Sequence, residues 1–152
     1  MNKVERAVGT VIDALAAGLV VIEIGLLFAG MASRYVMHRP LVWTDELAGM
    51  LFLWLAMLGA AVALRRGAHM CMTAFVSSAT GRRALALSVG THAVMGLFLV
   101  LLLPPAMALM LDDWDVVTPA MEVSNAWRLA AVPAGLGLML VLTVFQLIRL
   151  VG

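Results

Sequence analysis

The chain has 152 residues, of which 64% are hydrophobic and 12% are charged, and its formal net charge is +1. Soluble domains carry about 25% charged residues, so this chain has too few polar side chains to cover a water-facing surface and is predicted to be an integral membrane protein. The small net charge and scattered basic residues argue against nucleic-acid binding, and the single cysteine, Cys71, excludes an internal disulfide.

The first predicted element is a membrane-spanning helix over residues 10–33. A basic start, MNKVER, precedes a long apolar stretch from Val8 to Ala32. A signal peptide has a shorter apolar core and a small-residue cleavage site, so we expect this helix to be retained. It carries two acids, Asp13 near its start and Glu23 near the middle of the span.

The second predicted helix, residues 45–65, has charged residues at both ends. Asp45 and Arg65 are 20 residues apart, with no charged residue between Leu47 and Leu64. At 1.5 Å per residue this is about 30 Å, which matches the hydrocarbon thickness of a bilayer, roughly 30 Å. The charges are therefore expected at the two water interfaces.

A short interfacial helix is predicted over residues 69–80, where apolar residues recur at helical spacing with polar residues opposite. Its start, HMCM, offers soft-metal ligands. Consecutive side chains on a helix point in different directions, however, so we expect no metal site.

Two further membrane helices are predicted over residues 84–110 and 126–149. Proline removes a backbone donor and clashes with the preceding turn. Pro104-Pro105 should therefore kink or end the third helix, and Pro133 should do so early in the fourth. Alternating polarity typical of barrel strands is absent. The predicted fold is an all-α, single-domain membrane protein with four transmembrane helices and an interfacial helix between the second and third.

The positive-inside rule predicts that both termini are cytoplasmic. With that orientation the inside holds seven basic residues and the outside holds three. Trp43, Trp114 and Trp127 then fall near the outer boundary, as in an aromatic belt. The inside residues are Lys3, Arg6, Arg65, Arg66, Arg82, Arg83 and Arg149, and the outside residues are Arg34, Arg39 and Arg128.

One long segment resembles a known family. RYVMHRPLVWTDELAGMLFLWLAMLGAAVALRRGAHM, residues 34–70, is similar to the signature of the small membrane subunit of tripartite ATP-independent periplasmic (TRAP) transporters. The similarity includes the order and spacing of the WTDEL, GAA and RRG motifs and of His69, and TPAMEVSNAWRLAAVPAGLGLML also resembles the family's entry to its last helix. An acid often follows the histidine by four residues in that family, whereas Thr73 stands here.

The resemblance implies a subunit that is not an enzyme and holds no cofactor. In the family the small subunit braces a large membrane subunit, which carries the substrate and sodium sites. A periplasmic binding protein delivers the substrate, typically an organic acid. We therefore expect the large subunit, the binding protein and membrane lipids as partners, in the inner membrane of a bacterial or archaeal cell.

Each charged end of the second helix has two interpretations. Trp43, Asp45 and Glu46 either belong to an ordinary helix start, capped by Thr44 and with acids at the positive end, or contact the large subunit or the binding protein. Arginines and His69 at the other end either anchor the topology and contact lipid phosphate, or dock the large subunit. The partner-interface candidates are Glu23, Arg34, Trp43, Asp45, Glu46, Arg65 and His69, and the lipid-headgroup candidates are Arg65, Arg66, Arg82 and Arg83.

Glu23 attracts attention because acids within a membrane are costly and usually functional. Small residues, among them Gly18 and Gly25, form one face of the same helix and predict close packing there. Glu23 points about 160° away from Gly25. We expect it to face a polar group on another helix or on the large subunit. Alternatively, it is a protonated acid bonded within the chain to Thr or Ser.

Two other functions fit the outline of the sequence. A small proton-coupled multidrug antiporter would use Glu23 as its exchanging acid, although chains of that family are shorter. A haem-binding electron-transfer subunit would need two histidines at matching depths, and only His92 lies within a predicted span. A structural hydrogen bond is the commoner role of a lone buried histidine.

Overall fold

The computed structural model describes residues 3–39, 41–65 and 82–151. The described residues form four helices long and apolar enough to span a membrane, so the predicted all-α fold with four such helices is confirmed. The predicted interfacial helix over residues 69–80, which includes His69, lies outside the described residues, and so does Arg66. The helices are α1 (Lys3–Tyr35), α2 (Val42–Arg65), α3 (Arg82–Asp112), α4 (Ala126–Leu129) and α5 (Ala131–Val151).

The proline pair of α3 and Pro133 of α5 occupy different positions in their helices. α3 continues through Pro104 and Pro105 to Asp112, so of the two predicted effects, a kink or an end, this pair does not end the helix. Membrane helices tolerate proline because neighbouring groups satisfy the freed backbone carbonyls. Pro133 lies in the first turn of α5, where a helix needs no backbone donor. The fourth span is instead interrupted at Ala130, between α4 and α5.

The helices contact one another in the order α1–α2–α5–α3. Within the described part of the chain, α1 packs on α2 alone, whereas α5 packs on both α2 and α3. A small apolar cluster of Ala61, Leu64 and Leu142 forms the core between α2 and α5. α1 is therefore an edge helix, and α5 is central.

The large apolar side chains face outward. Phe28 is 72% exposed and Val94 is 69% exposed, and most of α1 and α3 follows the same pattern. In water such a surface would aggregate, whereas in a bilayer it contacts lipid. The burial pattern thus agrees with a membrane protein.

The α3–α4 connection, residues 113–125, is ordered by its own hydrogen bonds. Val117 and Ser124 form an isolated antiparallel bridge, and Asn125 donates a hydrogen bond to the Asp113 carboxylate. Glu122 adopts a left-handed φ of 53°. We call this segment the 113–125 loop.

Candidate functional site: polar contacts at the two ends of the helices

The polar contacts between different helices in the described residues lie at two ends of the helix arrangement. The loop end contains the C-terminus of α1, the N-terminus of α2, the 113–125 loop and α4. The terminal end contains the start of α1, the end of α2, the start of α3 and the end of α5. Trp43, Trp114 and Trp127 are exposed at the loop end, where they agree with a membrane–water boundary.

Glu46 connects α2 to the 113–125 loop. Its Oε1 accepts a hydrogen bond from the backbone N–H of Ala120 at 2.9 Å, and its Oε2 accepts one from Met121 at 3.0 Å. Both carboxylate oxygens are thus engaged within the chain. Sequence reasoning missed this contact because nothing local pairs Glu46 with a turn more than 70 residues away.

Arg34 and Asp45 connect α1 to α2 at the same end. Arg34 Nη2 lies 2.9 Å from Asp45 Oδ2, and both side chains are more than half exposed. A cavity of about 300 Å³, which we call the α1–α2 groove, opens beside this ion pair. The groove is lined by Leu26, Leu27, Gly30, Met31, Arg34, Tyr35, Thr44 and Asp45.

Thr44 does not cap α2 in the way expected. The helix begins at Val42, two residues earlier. The Thr44 hydroxyl donates a hydrogen bond to the carbonyl of Leu41 at 2.6 Å instead of accepting one from a backbone N–H. A Cβ at Gly30 would lie 2.9 Å from Thr44 Oγ1, so this glycine permits the close approach of α1 and α2.

Arg65 and Asp13 form an ion pair between α2 and α1 at the terminal end. The Arg65 side chain is only 22% exposed, and a Cβ at Gly9 would overlap its guanidinium. Arg65 therefore has a partner within its own chain, in addition to the lipid or large-subunit contacts predicted from the sequence.

A second set of contacts connects α2, α5 and α3. Gln146 Nε2 donates a hydrogen bond to the carbonyl of Leu64 at 3.2 Å, and Gln146 Oε1 lies 3.2 Å from His92 Nε2. His92 Nδ1 lies 2.8 Å from the carbonyl of Ser88, which can only accept, so this nitrogen carries a hydrogen. Both ring nitrogens thus face protein groups, which leaves neither of them directed toward a haem.

Glu23 is 8% exposed, and its Oε2 is buried with no hydrogen-bond partner among the described residues. The buried Ile12 and Ser33 lie about three helical turns before and after Glu23, on the same side of α1. This is the face that packs on α2. The structure shows no bond from Glu23 to a Thr or Ser within the described ranges.

The expectation that α1 packs through its small-residue face is wrong within this chain. A Cβ built at Gly18 or Gly25 would meet no heavy atom within 4 Å, so this face is open. The close contacts of α1 use other glycines, Gly9 and Gly30, which lie opposite Arg65 and Thr44. Since α1 is rich in small residues, their spacing alone did not identify the packing face.

The comparison with known families identifies the chain. A family model described as "Tripartite ATP-independent periplasmic transporters, DctQ component" matches residues 23–152. The chain belongs to the DctQ family. The DctQ match includes three of the four spans completely and begins within the first. The chain is therefore a multi-pass small membrane component of a TRAP transporter, and members of this family are transporter components, not enzymes.

Two curated relatives agree with the DctQ assignment. The chain is 21% identical over 137 residues to the sialic acid TRAP transporter small permease protein SiaQ of Vibrio cholerae. This match covers 89% of this chain and 78% of SiaQ. It is 39% identical over 69 residues to the sialic acid TRAP transporter permease protein SiaT of Haemophilus influenzae. That match covers 45% of this chain and 10% of SiaT, so the matched segment is a small part of a much longer permease.

No group of three or more His, Cys, Asp or Glu residues suited to a metal ion occurs within residues 3–39, 41–65 and 82–151. The polar residues described above are arranged instead as contacts between helices.

Proposed function

We propose that this chain is the scaffold subunit of a TRAP secondary transporter in the inner membrane of a bacterial or archaeal cell. It braces a large sodium-coupled subunit, which imports an organic acid delivered by a periplasmic binding protein. Both termini are cytoplasmic. The observation that carries the proposal is the family match over residues 23–152.

The SiaT relationship supports a large-subunit partner. In SiaT the segment similar to this chain is one tenth of a single permease polypeptide. A covalent connection of this kind indicates that the small and large parts function side by side. By analogy, the present chain contacts a separate large subunit. The sialic acid in the names of both relatives supports a carboxylate-bearing substrate.

The helix contacts support a bracing role. α1 and α2 are joined by Arg34–Asp45 at the loop end and by Asp13–Arg65 at the terminal end. Contacts at both ends oppose sliding of one helix along the other. A subunit of this kind suits a fixed frame against which a partner moves.

Not all partner-interface candidates are equally available. Glu46 and Arg65 contact groups in their own chain, and Glu23 is buried against α2. Trp43 is 42% exposed at the loop end and is the side chain that we propose for docking. His69 lies outside the described residues and stays a candidate.

The alternative function, proton-coupled multidrug antiport through Glu23, is not favoured. The family match supports a transporter component of another class. Glu23 also packs against α2, where no titratable side chain occurs between Leu47 and Leu64.

Reconstitution tests the proposed function. The large subunit is inserted into liposomes alone or with this chain, and uptake of a radiolabelled organic acid is measured with and without the binding protein under a sodium gradient. We expect uptake when all three proteins and inward sodium are present. Uptake by this chain alone, or equal uptake by the large subunit without it, would contradict the proposal. Trp43→Ala should weaken co-purification with the large subunit, whereas Trp114→Ala serves as a control at the same end.

A further inference from the structure

The α1–α2 groove combines a charged mouth with an apolar interior. At the mouth, Arg34 and Asp45 present opposite charges 2.9 Å apart, with side-chain exposures of 54% and 65%. Below them the groove is lined by Leu26, Leu27 and Met31 of α1. Such a combination is amphipathic and opens at the membrane boundary.

We propose that this groove binds a zwitterionic aminophospholipid of the phosphatidylethanolamine class, taken from the leaflet at the loop end. The ligand must offer an anion and a cation close together, because the mouth offers both charges. Arg34 has five N–H donors, of which the ion pair engages Nη2, so the others are available to a phosphate. Asp45 has two oxygens, and Arg34 contacts Oδ2, so the carboxylate can also accept from an ammonium group.

The depth of the groove suits the start of an acyl chain. Leu26 and Arg34 are eight residues apart on α1, which is about 12 Å along a helix. This is less than half of the hydrocarbon core, roughly 30 Å thick, so the headgroup stays at the level of Arg34. Gly30 contributes no side chain to the groove, and Tyr35 at its mouth is an amphipathic residue typical of the interface.

The headgroup chemistry distinguishes phosphatidylethanolamine from other common phospholipids. Phosphatidylglycerol supplies a phosphate for Arg34 but no cation for Asp45. Phosphatidylcholine supplies a cation without an N–H donor. The groove therefore selects the primary ammonium.

Native mass spectrometry of the purified full chain tests the proposal. The delipidated chain is offered equal amounts of the three lipids. We expect the phosphatidylethanolamine adduct to dominate. Arg34→Gln should weaken its binding by about threefold to tenfold, and Asp45→Asn should remove the preference over phosphatidylglycerol. Arg128→Gln, an exposed arginine at the same end, is the matched control and should bind as the unmodified chain does.

A second pair of variants tests the location without touching either charge. Met31→Trp fills the groove and should reduce lipid binding. Phe28→Trp introduces the same side chain at an exposed position that does not line the groove, and should have no effect. This pair decides the question if a charge variant does not fold.

Three outcomes would overturn the proposal. These are equal binding of all three lipids, equal effects of Arg34→Gln and Arg128→Gln, or no effect of Met31→Trp. A photo-crosslinker at position 31 in the assembled transporter should capture lipid, and capture of a polypeptide would show that a protein occupies the groove. Since lipid binding is measured on this chain alone, it can fail while the proposed transport function succeeds, and the reverse.

Discussion

Asp13 and Arg65 are 52 positions apart in the sequence and form an ion pair that joins the start of α1 to the last residue of α2. Arg65 belongs to the RRG motif, whose charges suggest a membrane anchor at first sight. The ion pair shows that Arg65 of this motif also contacts α1. Together with Arg34–Asp45, it joins the two helices at both the terminal end and the loop end.

Removing the Arg65 guanidinium should destabilise the chain. Arg65→Ala leaves Asp13 without this partner in a part-buried position, and we expect a loss of about 1–3 kcal/mol in the free energy of unfolding. This is below the 3–5 kcal/mol of a fully buried pair, because water screens the partly exposed groups. Unfolding in SDS followed by tryptophan fluorescence measures the loss. Arg128→Ala is the exposed control, and an equal effect of both variants would refute a special role of the ion pair.

Glu46→Gln should loosen the 113–125 loop. A glutamine side chain has one acceptor oxygen, so the backbone N–H of either Ala120 or Met121 loses its acceptor. We expect hydrogen exchange at these two amides to accelerate by about threefold to tenfold, measured in nanodiscs. Glu122→Gln removes an equal charge from the same loop and should leave the exchange of both amides unchanged. Unchanged exchange in Glu46→Gln would show that the contact does not order the loop.

Gly135→Ala should separate α2 from α5. A Cβ at position 135 would lie 2.6 Å from Met57 Cβ and 2.9 Å from Met57 Sδ, so the helices must move apart. We expect a destabilisation of about 1–3 kcal/mol, as for other overpacked cores. At Gly137, two residues away, a Cβ meets no heavy atom within 4 Å. Gly137→Ala should therefore be neutral or slightly stabilising in the same SDS titration, and the opposite ranking of the two variants would contradict this packing.

Glu23→Leu should stabilise the isolated chain or leave its stability unchanged. The carboxyl group is buried with an unpartnered Oε2 among described residues, and burying a polar group without a hydrogen bond costs about 1–3 kcal/mol on protein scales. Leucine keeps comparable volume against α2. Thermal unfolding of the isolated chain in detergent measures the effect. Val21→Leu, on the exposed side of α1, is the control.

A clear loss of stability in Glu23→Leu would show that Glu23 has a bonding partner within the chain. If stability is retained but co-purification with the large subunit is lost, Glu23 acts in assembly, as the sequence first indicated. The two measurements on one variant thus separate a structural role from an interface role.

The sequence predicted the helices well and their mutual contacts poorly, for a physical reason. The length of an apolar stretch and the charges at its ends are local features of the sequence, so the membrane span from Asp45 to Arg65 could be predicted directly. The face of α1 that packs on α2 could not be predicted in this way. In a soluble helix the apolar stripe marks the core, whereas α1 is apolar all round because its outer face contacts lipid.

The same limit applies to the polar contacts. Glu46 and Met121, or His92 and Gln146, meet only after the helices have associated, and no local pattern pairs them. The loop-end tryptophans were predictable because their position depends on the membrane boundary alone. The α1–α2 groove was not, since it depends on the register that two ion pairs set.

The central position of α5 has a consequence for biosynthesis. α5 follows α1 to α4 in the sequence, yet it packs between α2 and α3. The hairpin of α1 and α2 can form early, with its own ion pairs. At that stage α3 lacks α5, which is its main packing partner. A nascent chain that stops before Ala131 would therefore join α2 to α3 only through α4 and the contact of Glu46 with the 113–125 loop, and insertion of α5 supplies the main packing between them.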